Sequence, residues 1–72
     1  MVIGINMNYK YYYSVIATQG KGYDRWYIRI DPNDNSVYLL DNNEWHRILV
    51  RAESVRKTYM PITYEDLILE LI

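Results

Sequence analysis

From Ile3 to Ala17 the chain alternates with a period of two. Ile3, Ile5, Met7, Tyr9, Tyr11, Tyr13, Val15 and Ala17 share one parity, and Asn6, Asn8, Lys10, Ser14 and Thr18 fall on the other. This is the pattern of a β-strand with one buried face. An uninterrupted strand of about 15 residues would reach about 50 Å, far beyond the usual five or six residues. The segment is therefore expected to bend or to project. Gly4 is a candidate bulge around which the chain could curve or split into two strands. Otherwise one end leaves its own sheet and pairs with another molecule.

The punctuation that follows is that of an antiparallel sheet. Residues 19–24 (Gln-Gly-Lys-Gly-Tyr-Asp) read as a hairpin loop. Their Gly-Lys-Gly lacks the spacing and the following Ser or Thr of a phosphate-binding loop. Trp26, Ile28 and Ile30 alternate with Arg25, Tyr27 and Arg29, which predicts a half-buried strand. The Asp-Pro-Asn-Asp-Asn run at 31–35 stops it. That run lacks the later glycine and distal glutamate of a calcium loop. Residues 36–40 form the next strand.

Residues 41–57 admit two readings. Asp41-Asn42-Asn43-Glu44 is either a hairpin turn entering a strand at 45–50 or a capping box opening a helix through Trp45, Ile48, Leu49, Ala52 and Val55. The hairpin is the preferred reading, with the chain turning helical or looping after Arg51. Residues 55–60 then read as a short edge strand punctuated by Pro61. Thr63 is placed to cap a terminal helix whose apolar stripe is Tyr64, Leu67, Ile68, Leu71 and Ile72. The expected fold is a single α+β domain over residues 1–72. It has a curved antiparallel sheet of four or five strands, barrel-like if it closes, with the C-terminal helix packed on one face.

Composition matters chiefly for what holds such a domain together. A chain of 72 residues buries only about 60% of the surface its unfolded form exposes. There is no cysteine for a disulfide, and one histidine is too few for a zinc cluster. Self-association or a permanent partner is the remaining common route to more buried area, so a homo-oligomer is expected. The aromatic residues are nine tyrosines and two tryptophans, with no phenylalanine. Every ring thus carries a polar group, which suits half-wet surfaces better than a closed core.

The formal net charge of −1 announces neither a nucleic-acid-coating protein nor a strongly acidic mimic. Arg47, Arg51, Arg56 and Lys57 make residues 46–57 locally basic, and Glu65, Asp66 and Glu70 make the tail acidic. Asn6, Asn8 and Lys10 interrupt any secretory signal, and no apolar run approaches a membrane span. A cytoplasmic protein without a membrane partner is the expectation. Abundant Ile, Asn and Tyr with scarce Ala reflect an A+T-rich coding bias of the kind found in bacterial mobile elements and phages.

Candidates for chemistry are few. His46 with Arg47, Arg51 and a tyrosine could in principle serve a metal-independent nuclease. An exposed His46 with no catalytic role is the simpler reading, and no catalytic residue, metal or cofactor is expected. The expected function is a non-catalytic protein-interaction module, such as a phage or mobile-element accessory or inhibitor protein that occupies a surface of a larger host protein. Tyr, Trp and Arg favour interfaces, while lysine is depleted there. The alternative is single-stranded nucleic-acid binding through a tyrosine-rich sheet face. Either way, the candidate binding residues are Tyr12, Arg25, Tyr27, Arg29 and Tyr38. They are expected together on the sheet face away from the core, with Lys10 and Lys21 flanking.

Overall fold

The computed structural model describes residues 8–18, 20 and 22–72. Its elements run β1 (Lys10–Thr18), β2 (Gly22–Asp31), β3 (Ser36–Asp41), β4 (Glu44–Ile48), α1 (Ala52–Thr58), β5 (Met60–Ile62) and α2 (Tyr64–Leu71). The five strands form one antiparallel sheet in the order β4-β3-β2-β1-β5. It is open rather than barrel-like, with β4 and β5 as its edges. The candidate bulge at Gly4 and the first third of the long alternating segment, residues 3–7, lie outside the described residues.

Local turn chemistry builds the first four strands. The β1–β2 hairpin is symmetric about Gly20, its last pair being Thr18↔Gly22. Gly20 and Gly22 take φ of 69° and 93°, a region that side chains with a Cβ rarely occupy. At the next corner, Asp31 Oδ1 accepts the Asn33 N–H at 2.9 Å and Asp34 Oδ1 accepts the Ser36 N–H at 2.9 Å. Asn42 and Asn43 both adopt left-handed φ, 52° and 63°. Two such residues in succession make the primed turn whose twist matches a two-residue hairpin, so the capping-box alternative is excluded.

Past β4 the chain crosses from one sheet edge to the other through α1. This helix carries Glu53 in its first turn and Arg56 and Lys57 in its last, in keeping with the helix dipole. Arg56 Nη2 donates to Asn35 Oδ1 at 3.1 Å, tying the helix to the β2–β3 turn. The expected edge strand at 55–60 is corrected by this helix, which continues to Thr58. Ala52 and Val55 sit one helical turn apart and are both buried, a spacing that a strand would split between its faces. The edge strand begins at Met60 and contains Pro61, tolerated there because β5 pairs on one side only.

α1 covers one face of the sheet. Ile28, Ile30, Val37, Ala52 and Val55 form the buried core there, with Tyr12, Leu39, Ile48 and Tyr59 packed around them. α2 lies on the opposite face, where its Glu70 meets Arg25 and Tyr27. Thr63 Oγ1 caps α2 by accepting the Asp66 N–H at 3.1 Å, as its spacing predicts. Of the expected apolar stripe, however, only Leu67 is buried. Ile68, Leu71 and Ile72 remain exposed, so Leu67 is the one buried apolar side chain of the helix.

Truncating a buried apolar side chain should therefore be costly, and trimming the tip should not. Ile30→Ala and Leu67→Ala, at positions 0% and 1% exposed, should each lower unfolding free energy by about 2–5 kcal/mol. Leu49→Ala and removal of Ile72, at positions 100% and 91% exposed, should change it by less than about 0.5 kcal/mol. Denaturant midpoints of the four variants measure this directly.

Candidate functional site: an arginine among aromatic rings

Residues paired across an antiparallel ladder point to the same side of the sheet. The pairs Tyr11↔Arg29, Tyr13↔Tyr27 and Val15↔Arg25 therefore share one face, continued by Tyr38 beside Arg29. The pairs Tyr12↔Ile28 and Lys10↔Ile30 share the other. Arg25, Tyr27, Arg29 and Tyr38 thus meet on the face opposite the main core, as expected. Tyr12 does not join them. Its side chain packs against the core cluster, a correction that follows from its register opposite Ile28. The parity of β1 expected to face the core, that of Tyr9, Tyr11 and Tyr13, is instead the parity of the second face.

Arg29 is the centre of that face. Its guanidinium carbon lies 4.0 Å from the ring centroid of Tyr9, 4.8 Å from that of Trp45 and 5.0 Å from that of Tyr38. Contacts of this kind are worth about 0.5–2 kcal/mol each, more as water is excluded. The rings also pack on one another. Tyr11 lies 6.0 Å from Trp45 and 5.4 Å from Tyr64, and Tyr9 lies 6.4 Å from both Tyr11 and Tyr38. All four pairs are tilted or edge-on, at 43–85° between planes, the arrangement that ring quadrupoles favour. Burial raises the Tyr11 phenol above the ordinary tyrosine value, and the neighbouring Arg29 charge opposes that shift.

Beside this cluster β5 turns away into α2 while β1 continues to Lys10, and the divergence opens a groove of about 820 Å³. Among the described residues it is lined by Tyr9, Tyr11, Arg29, Trp45 and Tyr64, with Lys10 and Glu65 as its other charged members. Tyr12 and residues 61–63 complete its border. Sequence reasoning missed Tyr9, Tyr11, Trp45 and Tyr64. The hairpin centre at Gly20 would have revealed Tyr11, because it sets every odd-numbered tyrosine of β1 opposite an odd-numbered residue of β2.

The far end of the face is closed by an internal ion pair. Glu70 accepts from Arg25 Nη1 through both carboxylate oxygens, at 2.8 and 2.7 Å, and from the Tyr27 hydroxyl. Arg25 also lies over the Tyr13 ring, 4.6 Å from its centroid. The two arginines of β2 on this face therefore differ: Arg25 has a carboxylate, whereas among the described residues no ion pair includes Arg29. Arg29 Nε is enclosed without a hydrogen-bond partner.

His46 and Arg47, considered above for phosphodiester chemistry, are adjacent on β4 and so point to opposite faces. His46 is exposed and lies 3.6 Å from Glu44. Lys21 lies outside the described residues. Among the described residues no group of His, Asp or Glu side chains is arranged to hold a metal ion, and no helix is long and apolar enough to cross a membrane.

The Glu70 contacts imply an acid-sensitive attachment of α2. The Tyr27 hydrogen bond, and then Arg25, hold the Glu70 carboxyl below its ordinary value. A group depressed in the folded state stabilises above its unfolded pKa, about 4.3 for glutamate, and loses that contribution as pH falls through the folded value. Glu70→Gln should thus be less stable than the parent by an amount constant near pH 6–7, shrinking from about pH 5 downward. Denaturation midpoints of both proteins across that range provide the measurement.

No protein-family model matches the chain, and no curated protein or solved structure resembles it significantly.

Proposed function

We propose that this chain is a small non-catalytic protein-interaction module whose binding site is the groove around Arg29. The observation that carries this reading is an arginine held among three aromatic rings, in an open groove, with no carboxylate among the described residues paired to it. Aromatic side chains and arginine are the residues that most often dominate binding energy at protein interfaces. A ring-packed arginine is also pre-organised, so less rotamer freedom is lost when a partner binds. The small size and coding bias of the chain support an accessory or inhibitor role, in which it occupies a surface of a larger host protein.

Nucleic-acid binding is the second reading, favoured by Arg29 lying beside aromatic rings in one groove with Lys10 at its border. Base stacking needs open ring faces. Arg29 already lies over the faces of Tyr9, Tyr38 and Trp45, and the rings are inclined to one another rather than stacked in a ladder. The geometry therefore favours a protein partner. Self-association is a further proposal, supported by the exposed Ile68, Leu69, Leu71 and Ile72 of the α2 segment.

Affinity capture from host extract should yield one stoichiometric protein with the parent chain, and should lose it with Tyr11→Ala or Trp45→Ala variants that keep a cooperative unfolding transition. A true anchor ring should weaken binding by about 2 kcal/mol or more. Salt-sensitive binding of a labelled single strand, lost with the same variants, would instead assign the groove to nucleic acid. Light scattering across a wide dilution range tests self-association; a constant monomer mass at high micromolar concentration would exclude it.

A further inference from the structure

We infer that Arg29 is the charge anchor of the groove and that it receives a single carboxylate, presented by an acidic segment of the protein partner. This rests on the protein-interaction reading above and narrows it to a recognition chemistry. The first support is the contrast between the two arginines. Arg25, on the same strand and face, is neutralised by Glu70 through both carboxylate oxygens. Among the described residues Arg29 has no such partner, and its Nε is enclosed with no hydrogen bond. A guanidinium presents five donors in a planar fork that matches a carboxylate, and a donor left without a partner favours an incoming acceptor.

Charge balance selects among anions. Lys10 borders the groove but shares the face of Ile30, so among the described residues Arg29 is the one lining cation on the groove's own face, with Glu65 also in the lining. A single carboxylate matches this. A phosphate group carrying nearly two charges, or a polyphosphate chain, would leave an excess facing Glu65. The tilted rings favour the same ligand. They hold the cation in place from the side and leave no parallel pair of faces for a base, while tyrosine hydroxyls can donate to carboxylate oxygens as they enter. The arrangement describes a socket for one Asp or Glu side chain, with neighbouring apolar residues of the partner resting against Trp45 and Tyr64.

A display library of random peptides with blocked termini, selected against the intact chain, tests this without knowledge of the natural partner. The expected result is enrichment of Asp or Glu at one position, with Glu→Gln in a selected peptide weakening binding at least about tenfold. Arg29→Gln should abolish that Glu-over-Gln preference. Arg29→Lys should keep only part of it, since a point charge cannot reproduce the planar fork. Because the peptide substitution leaves the protein untouched, the test stands even if an Arg29 variant unfolds. Selected peptides without acidic enrichment, equal binding of the Glu and Gln forms, or tighter binding of a phosphoserine form or of oligothymidylate would each overturn the carboxylate assignment. The first two would leave the protein-interaction reading in place provided the peptides compete for the groove. Recovery of no peptide at all would count against both.

Discussion

The register of β1 against β2 is the constraint from which the rest of the molecule follows. With Tyr12 opposite Ile28 and Tyr11 opposite Arg29, each side chain of the central hairpin is assigned to a face. A slip of one residue would move the β1 tyrosines as a set: Tyr11 and Tyr13 would enter the core beneath α1, and Tyr12 alone would face Arg29. Gly20 and Gly22 at the hairpin tip secure the register locally. Ile28 and Ile30 secure it globally, because only one face of β2 can be buried without burying its arginines.

Each face is then completed by a different kind of interaction. α1 closes the first with apolar volume, adding Ala52 and Val55 to a cluster of Ile28, Ile30 and Val37. α2, whose one buried apolar side chain is Leu67, closes part of the second with the polar clasp of Glu70 on Arg25 and Tyr27. The exposed clasp contributes orientation more than energy, as surface ion pairs generally do. Where α2 begins, at Tyr64, it joins the ring cluster rather than covering it. The second face is therefore covered at the Glu70 end and open at the Arg29 end.

Much of this was legible residue by residue. The Asp-Asn-Asn-Glu hairpin, the Thr63 cap and the half-buried β2 strand each carried a signal that local chemistry could decode. The face of β1 did not, because tyrosines occupy 11, 12 and 13 in succession and alternation cannot say which parity is buried. Placing Tyr12 with Tyr27 and Tyr38 failed for that reason. The boundary between α1 and β5 was obscured by Val55, which suits a strand by propensity and a helix face by spacing. Arg25, Tyr27, Arg29 and Tyr38 were found on the intended face, but the groove depends on Tyr9, Trp45 and Tyr64, which come together only once β4 and α2 bring their rings onto the face that carries Tyr11 and Arg29.

Pro61 in the three-residue strand β5 has a consequence for how the molecule meets others. A sheet edge is a template for another strand, and proline removes one of the N–H groups that such a strand would use. The opposite edge, β4, carries Glu44, His46 and Arg47 along a run of five residues, a composition that also discourages pairing. Extension of the sheet by strand after strand is thus disfavoured at both ends of the described structure. Tyrosine-rich strands would otherwise be prone to stack into fibres, and here they are confined to a finite sheet whose partners must approach its broad sides.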